Sequence, residues 1–440
     1  MTYQPVVDHI AIPVIVDPLS ATVYVALFIG VALLAARRAS YGLCALVILV
    51  PFSFLREATA TSLTLPKIAL LGVLVGLSTY AGSARLLRQP PMRWLLIAVG
   101  VYFLATALSI VDAAYVGPAL RETLKFLEYA LVFAAAYLCY RIDPDDRALV
   151  SAAAAAAILV SLGALSQEIL GAPSGMYIGN VIVPRIAGAL EGPNQLAGYY
   201  EVAIAALGAW AMMRRSMLVD VALVLATCAD VLTFSRAGLA GLAVVVAVLA
   251  IVGGRRMLRA LRPALAGFIA GTAVALGWGI YAHNVDILRL SLGGTAYAGG
   301  VGNRGELWRG AWHMWLAHPL LGVGAGNYEL LLPLYGIFGI RTHANSWYLQ
   351  SLAEGGILLF AATIGLIATL LVTFARRLRD GSTWVLAAFA ATVALALHQI
   401  VDYLVFYPKI GEAWWLILGI AAATLASKSQ PHAPPQTLSS

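Results

Sequence analysis

Charged residues and cysteines are both scarce in this sequence. Of its 440 residues, 11% are charged and 61% are hydrophobic, whereas a soluble domain averages about 25% charged residues. This composition excludes an ordinary soluble protein. The three cysteines, Cys44, Cys139 and Cys228, all fall within apolar segments. We interpret them as small buried hydrophobic side chains rather than as disulfide partners or metal ligands.

Long polar stretches are also rare, and apolar segments of about 17–25 residues recur along the chain, each long enough to cross a membrane as a helix. They are not the short alternating segments of a membrane β-barrel, so the sequence predicts an all-α, polytopic membrane protein. We expect one membrane domain over residues 1–440 with about 12–13 transmembrane helices, the first two short enough to form one hairpin or to be partly re-entrant. The expected spans are residues 21–36, 41–55, 66–82, 94–112, 119–140, 148–170, 196–213, 217–234, 237–254, 263–282, 346–374, 384–404 and 411–427.

The 28 lysines and arginines predict the orientation of the chain, because most of them lie in alternate, very short connections between spans. Cytoplasmic loops carry an excess of these residues, so we place those connections and the C-terminus in the cytoplasm. The long loops 171–195 and 283–345 then lie outside, and the polar tail 428–440 is expected to be a disordered cytoplasmic segment. Topology accounts for the net charge of +7, and no nucleic-acid partner is expected.

The outer loop 171–195 and the short break between the spans 217–234 and 237–254 each carry an arginine. Arg185 precedes the turn Gly192-Pro193-Asn194, and Asn194 is expected to cap the helix that starts near residue 196. The turn is either a plain capped helix start or a place where Arg185 faces an anion. Arg236 lies between two spans with almost no loop, where an arginine either snorkels to the headgroups or serves function, since burying it costs about 2.5–3.5 kcal/mol.

The loop 283–345 is expected to carry an amphipathic helix over residues 303–318, lying on the membrane surface. Trp308, Trp312 and Trp315 are spaced to share one helix face, which is typical of an interfacial anchor. Anchoring does not account for Arg304 at the start of this helix. The glycine-rich turn that follows, at residues 322–327, offers backbone amides to an anion.

Two further polar faces are expected near the same loop, and together they predict a lined cavity. Isolated polar residues in membrane helices more often join helices than form sites. Helical spacing places the members of each set on one face: His343, Trp347, Gln350 and Glu354 in the first, and His398 and Asp402 in the second.

The candidate site therefore combines several arginines with one histidine. It lacks the carboxylate cluster that Mg²⁺ prefers and the His/Cys spacing of a zinc site, so neither a metal nor a cofactor is expected. Arginine suits planar, permanently charged recognition of a phosphate or diphosphate, and a histidine can act as general base near neutral pH. The members are Arg185, Arg236, Arg304, Arg341 and His343, with Glu354 and Asp402 nearby.

Several short motifs resemble the O-antigen ligase/polymerase family of bacterial, polytopic membrane glycosyltransferases, in the family's order over about residues 180–410. The chain departs from the family's pattern at one point: the family's ligases usually carry histidine directly before an asparagine, whereas here Ala344 precedes Asn345 and the histidine is His343. One residue turns a helical side chain by about 100°, so His343 reaches the same place only if it lies in a loop. The motifs are residues 192–197, 233–238, 304–308, 319–324, 343–349 and 354–356, followed by Asp402.

The resemblance implies a metal-independent transfer of a glycan from undecaprenyl diphosphate to an acceptor hydroxyl at the outer face of the bacterial inner membrane. A ligase would use a lipid A-core acceptor, and a polymerase would use a second lipid-linked repeat unit. The alternative of another class is a lipid-linked glycan transporter, for which inverted repeats and broken midplane helices are typical, and the sequence indicates neither. The resemblance implies His343, Arg304 and Arg236 as catalytic residues, and Arg185, Asn194, Arg341, Asn345, Trp308, Glu354 and Asp402 as contacts to the diphosphate or glycan.

Overall fold

The computed structural model describes residues 18–52, 64–88, 92–172, 174–178, 181–281, 304–339 and 342–428. Helices dominate these ranges, which confirms the all-α prediction. The elements are α1 Pro18–Arg37, α2 Ala39–Leu49, α3 Leu65–Leu77, α4 Ser83–Leu86, α5 Met92–Leu108, α6 Val116–Ile142, α7 Asp146–Leu170, β1 Ser174–Ile178, β2 Val181–Arg185, α8 Pro193–Met213, α9 Met217–Leu232, α10 Arg236–Ala260, α11 Arg262–Tyr281, α12 Arg304–Ala317, α13 Tyr328–Leu331, α14 Trp347–Ala375, α15 Thr383–His398 and α16 Pro408–Lys428.

Every span expected from hydropathy coincides with a helix. Within the described ranges, seven helices are long and apolar enough to cross a membrane, namely α6, α7, α8, α10, α11, α14 and α16. Five shorter apolar helices, α1, α2, α3, α5 and α15, account for most of the other expected spans. The chain is a multi-pass membrane protein because one long apolar helix follows another with short connections between them.

The most deeply buried helices are α8 and α16, which lie at the centre of the bundle. Helix α8 packs against α10 and α15, and α16 packs against α6. Small residues allow these close approaches, since helices in a membrane associate through packing and polar contacts. A side chain at Gly419 of α16 would meet the backbone oxygen of Phe133 in α6 at 2.5 Å.

A β-hairpin stands where a plain loop was expected between residues 171 and 195. Strands β1 and β2 pair in antiparallel register from Ser174↔Arg185 to Ile178↔Val181. The second strand begins Val-Ile-Val, and β-branched residues favour strands, but ten residues without a long alternation gave too weak a signal to predict. Arg185 is the last residue of β2, and α8 begins eight residues later at Pro193.

Helix α12 confirms the predicted helix over residues 303–318. Its buried side is a stripe of Leu307, Gly310, Ala311 and Met314, which faces the start of α14. The tryptophans flank this stripe, with Trp308 and Trp315 half-buried and Trp312 exposed. Contact of this helix with lipid stays a prediction.

The expected spans 66–82, 94–112 and 384–404 run four or more residues past the ends of α3, α5 and α15. Helix α15 ends at His398 rather than at 404, because residues 399–407 form a non-helical segment with one 3₁₀ turn at Leu404–Phe406. Helix α16 ends at Lys428, the first residue of the expected tail 428–440. The rest of that tail and residues 283–303, 340 and 341 of the expected outer loop lie outside the described ranges, and the disorder of the tail stays a prediction.

The basic end of the bundle is tied together by surface contacts. Arg38, between α1 and α2, forms ion pairs with Asp143 at 2.8 Å and Asp145 at 3.4 Å in the turn between α6 and α7. The Arg38 guanidinium lowers the pKa of the Asp143 carboxyl. The placement of this end in the cytoplasm stays a prediction.

Candidate functional site

Polar side chains from separate segments meet at the end of the bundle opposite Arg38. Arg185 Nε donates to the carbonyl oxygen of Thr233 at 3.0 Å, and Arg185 Nη2 donates to Asn194 Oδ1 at 3.4 Å. Asn194 Nδ2 in turn donates to Asp402 Oδ2 at 2.8 Å. One chain of hydrogen bonds therefore joins the β-hairpin, the start of α8, the break before α10 and the segment after α15.

Asn194 does not cap α8, so that prediction was wrong. The helix begins at Pro193, and Gly192 occupies the N-cap position without a side-chain cap. Proline suits the first helical position because it has no N–H to leave unpaired. The Asn194 carboxamide, placed inside the first turn, is thereby available to bridge Arg185 and Asp402.

The break between α9 and α10 positions Arg236 as the first residue of α10. Ser235 caps this helix, and its Oγ accepts a hydrogen bond from the Gly238 N–H at 3.1 Å. Phe234 adopts a φ of 50°, a conformation that costs a non-glycine residue free energy and often marks a functional site. The exposed Arg236 side chain and the positive end of the helix dipole place two sources of positive potential side by side, which favours an anion.

Arg304 opens α12 and lies within electrostatic reach of Asp402 and Arg236. Burial lowers the pKa of its guanidinium, the nearby Arg236 charge lowers it further, and Asp402 opposes both. In the described part of the chain, the buried Arg304 Nε has no hydrogen-bond partner. A buried polar group without a partner is costly, and a bound anion would satisfy it.

His343 lies in the loop before α14 rather than on the helix, because the helix begins at Trp347 with Ser346 as its cap. The shift of one position relative to the family's pattern therefore does not impose a helical rotation on the imidazole. Three aromatic rings surround it, with centroid distances of 5.8 Å to Tyr403, 5.4 Å to Phe406 and 5.8 Å to Tyr407.

The hydrogen bonds and charges around His343 favour a neutral imidazole. Its Nδ1 accepts from the Asn345 N–H at 3.2 Å, and its Nε2 lies 3.1 Å from the Tyr407 hydroxyl. Burial lowers the pKa of His343, as do the charges of Lys125 and Arg304, and Asp402 opposes them. Asn345 has a φ of 49°, so a second left-handed non-glycine residue lies at this site.

Lys125 of α6 is a site neighbour that the sequence analysis did not single out. Its Nζ donates to the Phe406 carbonyl oxygen at 3.0 Å, lies 4.3 Å from the Phe406 ring centroid and pairs with Glu122 at 2.5 Å. Ionisable residues inside a span are functional candidates by default. The pair Glu122 and Lys125 within the expected span 119–140 was the available signal.

The glycine-rich turn packs against α14, so the prediction that it offers free amides to an anion was wrong. The N–H groups of Val323 and Gly324 donate to the carbonyl oxygens of Ala353 and Glu354, both at 2.9 Å. Gly322, Gly324 and Gly326 all have positive φ, and a Cβ at Gly322 would overlap the backbone of Glu354. These glycines are needed for close contact between two backbones.

The Glu354 carboxylate makes its described contacts inside the protein. Its Oε1 accepts from the Tyr328 N–H at 3.1 Å and from Gln350 Nε2 at 2.8 Å, and Gln350 Oε1 accepts from the Ala344 N–H at 2.7 Å. Glu354 thus ties the loop of His343 to α13 through Gln350, and contact with a glycan stays a prediction.

Trp308 and Arg341 are the two remaining predicted contacts to the diphosphate or glycan. Trp308 is half-buried, and its buried Nε1 has no hydrogen-bond partner within the described ranges. Arg341 lies outside the described ranges.

His398 does not share a face with Asp402, because α15 ends between them. His398 Nδ1 instead lies 2.5 Å from Glu201 Oε1 of α8, with both side chains buried. Glu201 lies on the same helix as Asn194, and the charge of Asp402 acts on both members of this pair. In the described part of the chain, no group of three or more His, Cys, Asp or Glu side chains is arranged to hold a metal ion.

Comparison with known proteins gives one family match. Residues 221–364 match a protein-family model described as O-Antigen ligase. The matched range contains Arg236, Arg304 and His343, and leaves Asn194 and Asp402 on either side of it. A search of curated proteins finds no match.

Proposed function

Because the chain belongs to the O-antigen ligase/polymerase family, we propose that it transfers a glycan from undecaprenyl diphosphate to an acceptor hydroxyl. The observation that carries this proposal is the position of Arg304. Its partly buried guanidinium, whose Nε has no hydrogen-bond partner among the described residues, lies within electrostatic reach of Arg236 and of a neutral histidine, His343. Fixed cations beside a neutral base suit a reaction that expels an anionic leaving group.

The arginines would bind the donor's diphosphate. Arg236 and Arg304 come from two different helix starts, so they approach an anion from two directions. Charge-assisted hydrogen bonds to such a group are short and strong, and they strengthen as negative charge develops on the leaving oxygen. Arg185 contacts Thr233 and Asn194, so it would both orient the Arg236 segment and add positive potential.

His343 would accept the proton of the acceptor hydroxyl. The acceptor oxygen attacks the anomeric carbon, the bond from that carbon to the diphosphate oxygen breaks, and the diphosphate leaves with the electron pair. The proton moves to the imidazole. The lipid diphosphate is already an activated donor, so the step requires no nucleotide sugar and no metal. Asn345, Trp308, Glu354 and Arg341 stay proposed contacts to the glycan or diphosphate.

We propose the ligase reaction, with a lipid A-core acceptor, at the outer face of the inner membrane. The matched family, described as O-Antigen ligase, supports glycan transfer in general, and its motifs are shared by ligases and polymerases. The excess of arginines at the opposite end of the bundle supports an outward-facing site, because cations favour the cytoplasmic side. Membrane lipids would surround the apolar helices.

The test is the size profile of lipid-linked and surface glycans in a strain that lacks the protein. Long chains stranded on undecaprenyl diphosphate, together with bare acceptor, would support the ligase. Acceptor carrying a single repeat unit would replace it with the polymerase. An unchanged profile, or repeat units held on the cytoplasmic leaflet, would contradict a glycosyltransferase and favour the transporter.

A further inference from the structure

The two ring nitrogens of His343 have different partners, and this difference defines where its proton lies. The Asn345 backbone N–H donates to Nδ1 at 3.2 Å, so Nδ1 carries a lone pair and no hydrogen. A neutral imidazole has one protonated and one unprotonated nitrogen. The proton of neutral His343 is therefore on Nε2.

The Tyr407 hydroxyl is the partner of that protonated nitrogen. Its oxygen lies 3.1 Å from Nε2, and because Nε2 carries the hydrogen, the imidazole donates and the phenolic oxygen accepts. Burial raises the pKa of the Tyr407 phenol, so Tyr407 keeps its own proton and offers a neutral oxygen. In enzymes with a histidine base, a third group that accepts the far N–H selects the tautomer and orients the ring.

We propose that Tyr407 is a positioning residue that holds His343 in the Nε2–H tautomer, so that Nδ1 is the nitrogen that receives the acceptor's proton. This inference rests on the proposed glycosyl transfer. It assigns to Tyr407 the orienting role that a carboxylate fills in other histidine-based sites. It also specifies that the acceptor hydroxyl approaches the edge of the imidazole that carries Nδ1.

The surrounding chain holds Tyr407 firmly enough for that role. It follows the 3₁₀ turn Leu404–Phe406, its N–H donates to the Leu404 carbonyl oxygen at 3.0 Å, and Pro408 begins α16 directly after it. Its ring meets that of Phe406 edge-on at 5.2 Å. The hydroxyl therefore reaches the imidazole from a fixed backbone position between two helices.

The transfer step needs no reactant other than the donor, the acceptor and water. The acceptor hydroxyl displaces the Asn345 N–H and gives its proton to Nδ1 as its oxygen bonds to the anomeric carbon. The ring becomes an imidazolium whose Nε2–H still points at the Tyr407 oxygen, and the diphosphate leaves with the electron pair of the broken bond. The imidazolium then returns the proton to water.

Tyr403 provides a matched control. Its ring meets His343 edge-on at the same centroid distance, 5.8 Å, with an interplanar angle of 89° against 83° for Tyr407. Tyr407 is the tyrosine whose hydroxyl contacts a ring nitrogen. Replacing each tyrosine by phenylalanine keeps both ring contacts and removes one hydroxyl at a time.

The test measures transfer by the purified full-length protein in lipid, with an undecaprenyl-diphosphate oligosaccharide as donor and a lipid A-core acceptor. We expect Tyr407→Phe to lower kcat about tenfold, the equivalent of one hydrogen bond, with KM for the donor unchanged. Tyr403→Phe should keep the wild-type kcat. Wild-type kcat in Tyr407→Phe, or an equal loss in Tyr403→Phe, would overturn the inference.

The pH dependence gives a readout that loss of packing would not change. An oxygen that accepts the Nε2–H stabilises the imidazolium, so removing it lowers the pKa of His343 and moves the acidic limb of kcat to lower pH. The other charges that face His343 are Asp402 after α15, Lys125 of α6 and Arg304 of α12, and both substitutions leave them in place. An acidic limb at the wild-type pH in Tyr407→Phe would contradict the role.

Two further measurements separate this inference from the proposed function. Absence of transfer by the wild-type protein, or full activity in His343→Ala, would contradict the proposed function itself. Loss in His343→Ala with wild-type behaviour in Tyr407→Phe would contradict only the role of Tyr407. If Tyr407→Phe does not fold, ¹⁵N NMR of histidine-labelled wild-type protein decides, with His343 assigned from the His343→Ala spectrum: a protonated Nε2 supports the inference, and a protonated Nδ1 overturns it.

Discussion

Asn194 Nδ2 donates a hydrogen bond to Asp402 Oδ2 at 2.8 Å, although the two residues are 208 positions apart in the chain. The bond joins the first turn of α8 to the segment that follows α15. Asp402 Oδ1 accepts a second bond, from the Tyr403 N–H at 2.7 Å. The carboxylate is thus held on both oxygens, in the segment that also carries the aromatic rings around His343.

Asn194→Ala should lower transfer at least about tenfold, because it removes the bridge between Arg185 and Asp402, each bond of which is worth about 1.5–3 kcal/mol when one partner is charged. Activity and thermal unfolding of the purified variant measure the effect. Asn194→Asp is the informative companion, since it places a second carboxylate beside Asp402 and should be at least as damaging. Wild-type transfer in Asn194→Ala would remove the bridge from the site.

Arg304→Ala should lower transfer by about 10²–10³-fold, the range seen when one group that stabilises developing negative charge is removed. Arg309→Ala is the matched control, because Arg309 lies on the same helix with its side chain exposed, and we expect it to keep activity. Comparable losses in both variants would mean that α12 binds through its overall charge instead of through Arg304.

Arg236→Ala should abolish transfer while the protein still inserts, since the Arg236 side chain is exposed and its removal leaves no cavity. Arg236→Lys should restore only part of the activity, because lysine keeps the charge but not the planar pair of donors. The measurement is transfer per inserted molecule in membranes. Full activity in Arg236→Lys would show that charge alone is needed there.

We expect His343→Ala to be inactive. We also expect the pH dependence of transfer by the wild-type protein to show the titration of His343. The base must be neutral, so transfer rises with pH through the pKa of His343 and then levels. Burial and the charges of Lys125 and Arg304 lower that pKa from its usual value, which moves the acidic limb of kcat/KM to lower pH than an exposed histidine would give. If His343→Ala is active and His398→Ala is not, His398 is the base and the assignment to His343 is wrong.

Glu354→Ala should lower the unfolding temperature more than it lowers transfer per folded molecule. Its carboxylate accepts from the Tyr328 N–H and from Gln350, and each buried group left unpaired costs about 1–3 kcal/mol. Glu354→Gln keeps an oxygen acceptor and should recover most of the stability. A folded Glu354→Gln variant with little transfer would instead support the predicted contact with substrate.

Local patterns in the sequence predicted most helices and several site residues. The spans that became α8 and α10 follow from apolar length, and α12 follows from a helical spacing of tryptophans. Arg236 stood out because it lies between two apolar spans, and Arg304 because it starts the amphipathic helix of the outer loop. These signals lie within about twenty neighbouring residues, the length of one membrane span, so no long-range contact is needed to recognise them.

Other features had no local signal strong enough to find them. The start of α8 at Pro193 rather than near residue 196 changed the role of Asn194 from a cap to a bridge. Lys125 lies in a span far from the motifs, and its place beside Phe406 depends on the packing of α6 against α16. The pairing of His398 with Glu201 replaced its expected pairing with Asp402 because α15 ended six residues early.

By itself, the sequence determined that this chain crosses the membrane many times as helices, because backbone groups in lipid must bond within their own segment and apolar length is a local property. It also determined which polar residues interrupt those helices. The tertiary structure alone decided which of them share a site: Arg185, Asn194 and Asp402 meet through hydrogen bonds, Arg304 lies within electrostatic reach of Asp402, and Glu354 turns inward. Contacts between segments 208 residues apart, as Asn194 and Asp402 are, depend on how the helices pack, and no local pattern encodes that packing.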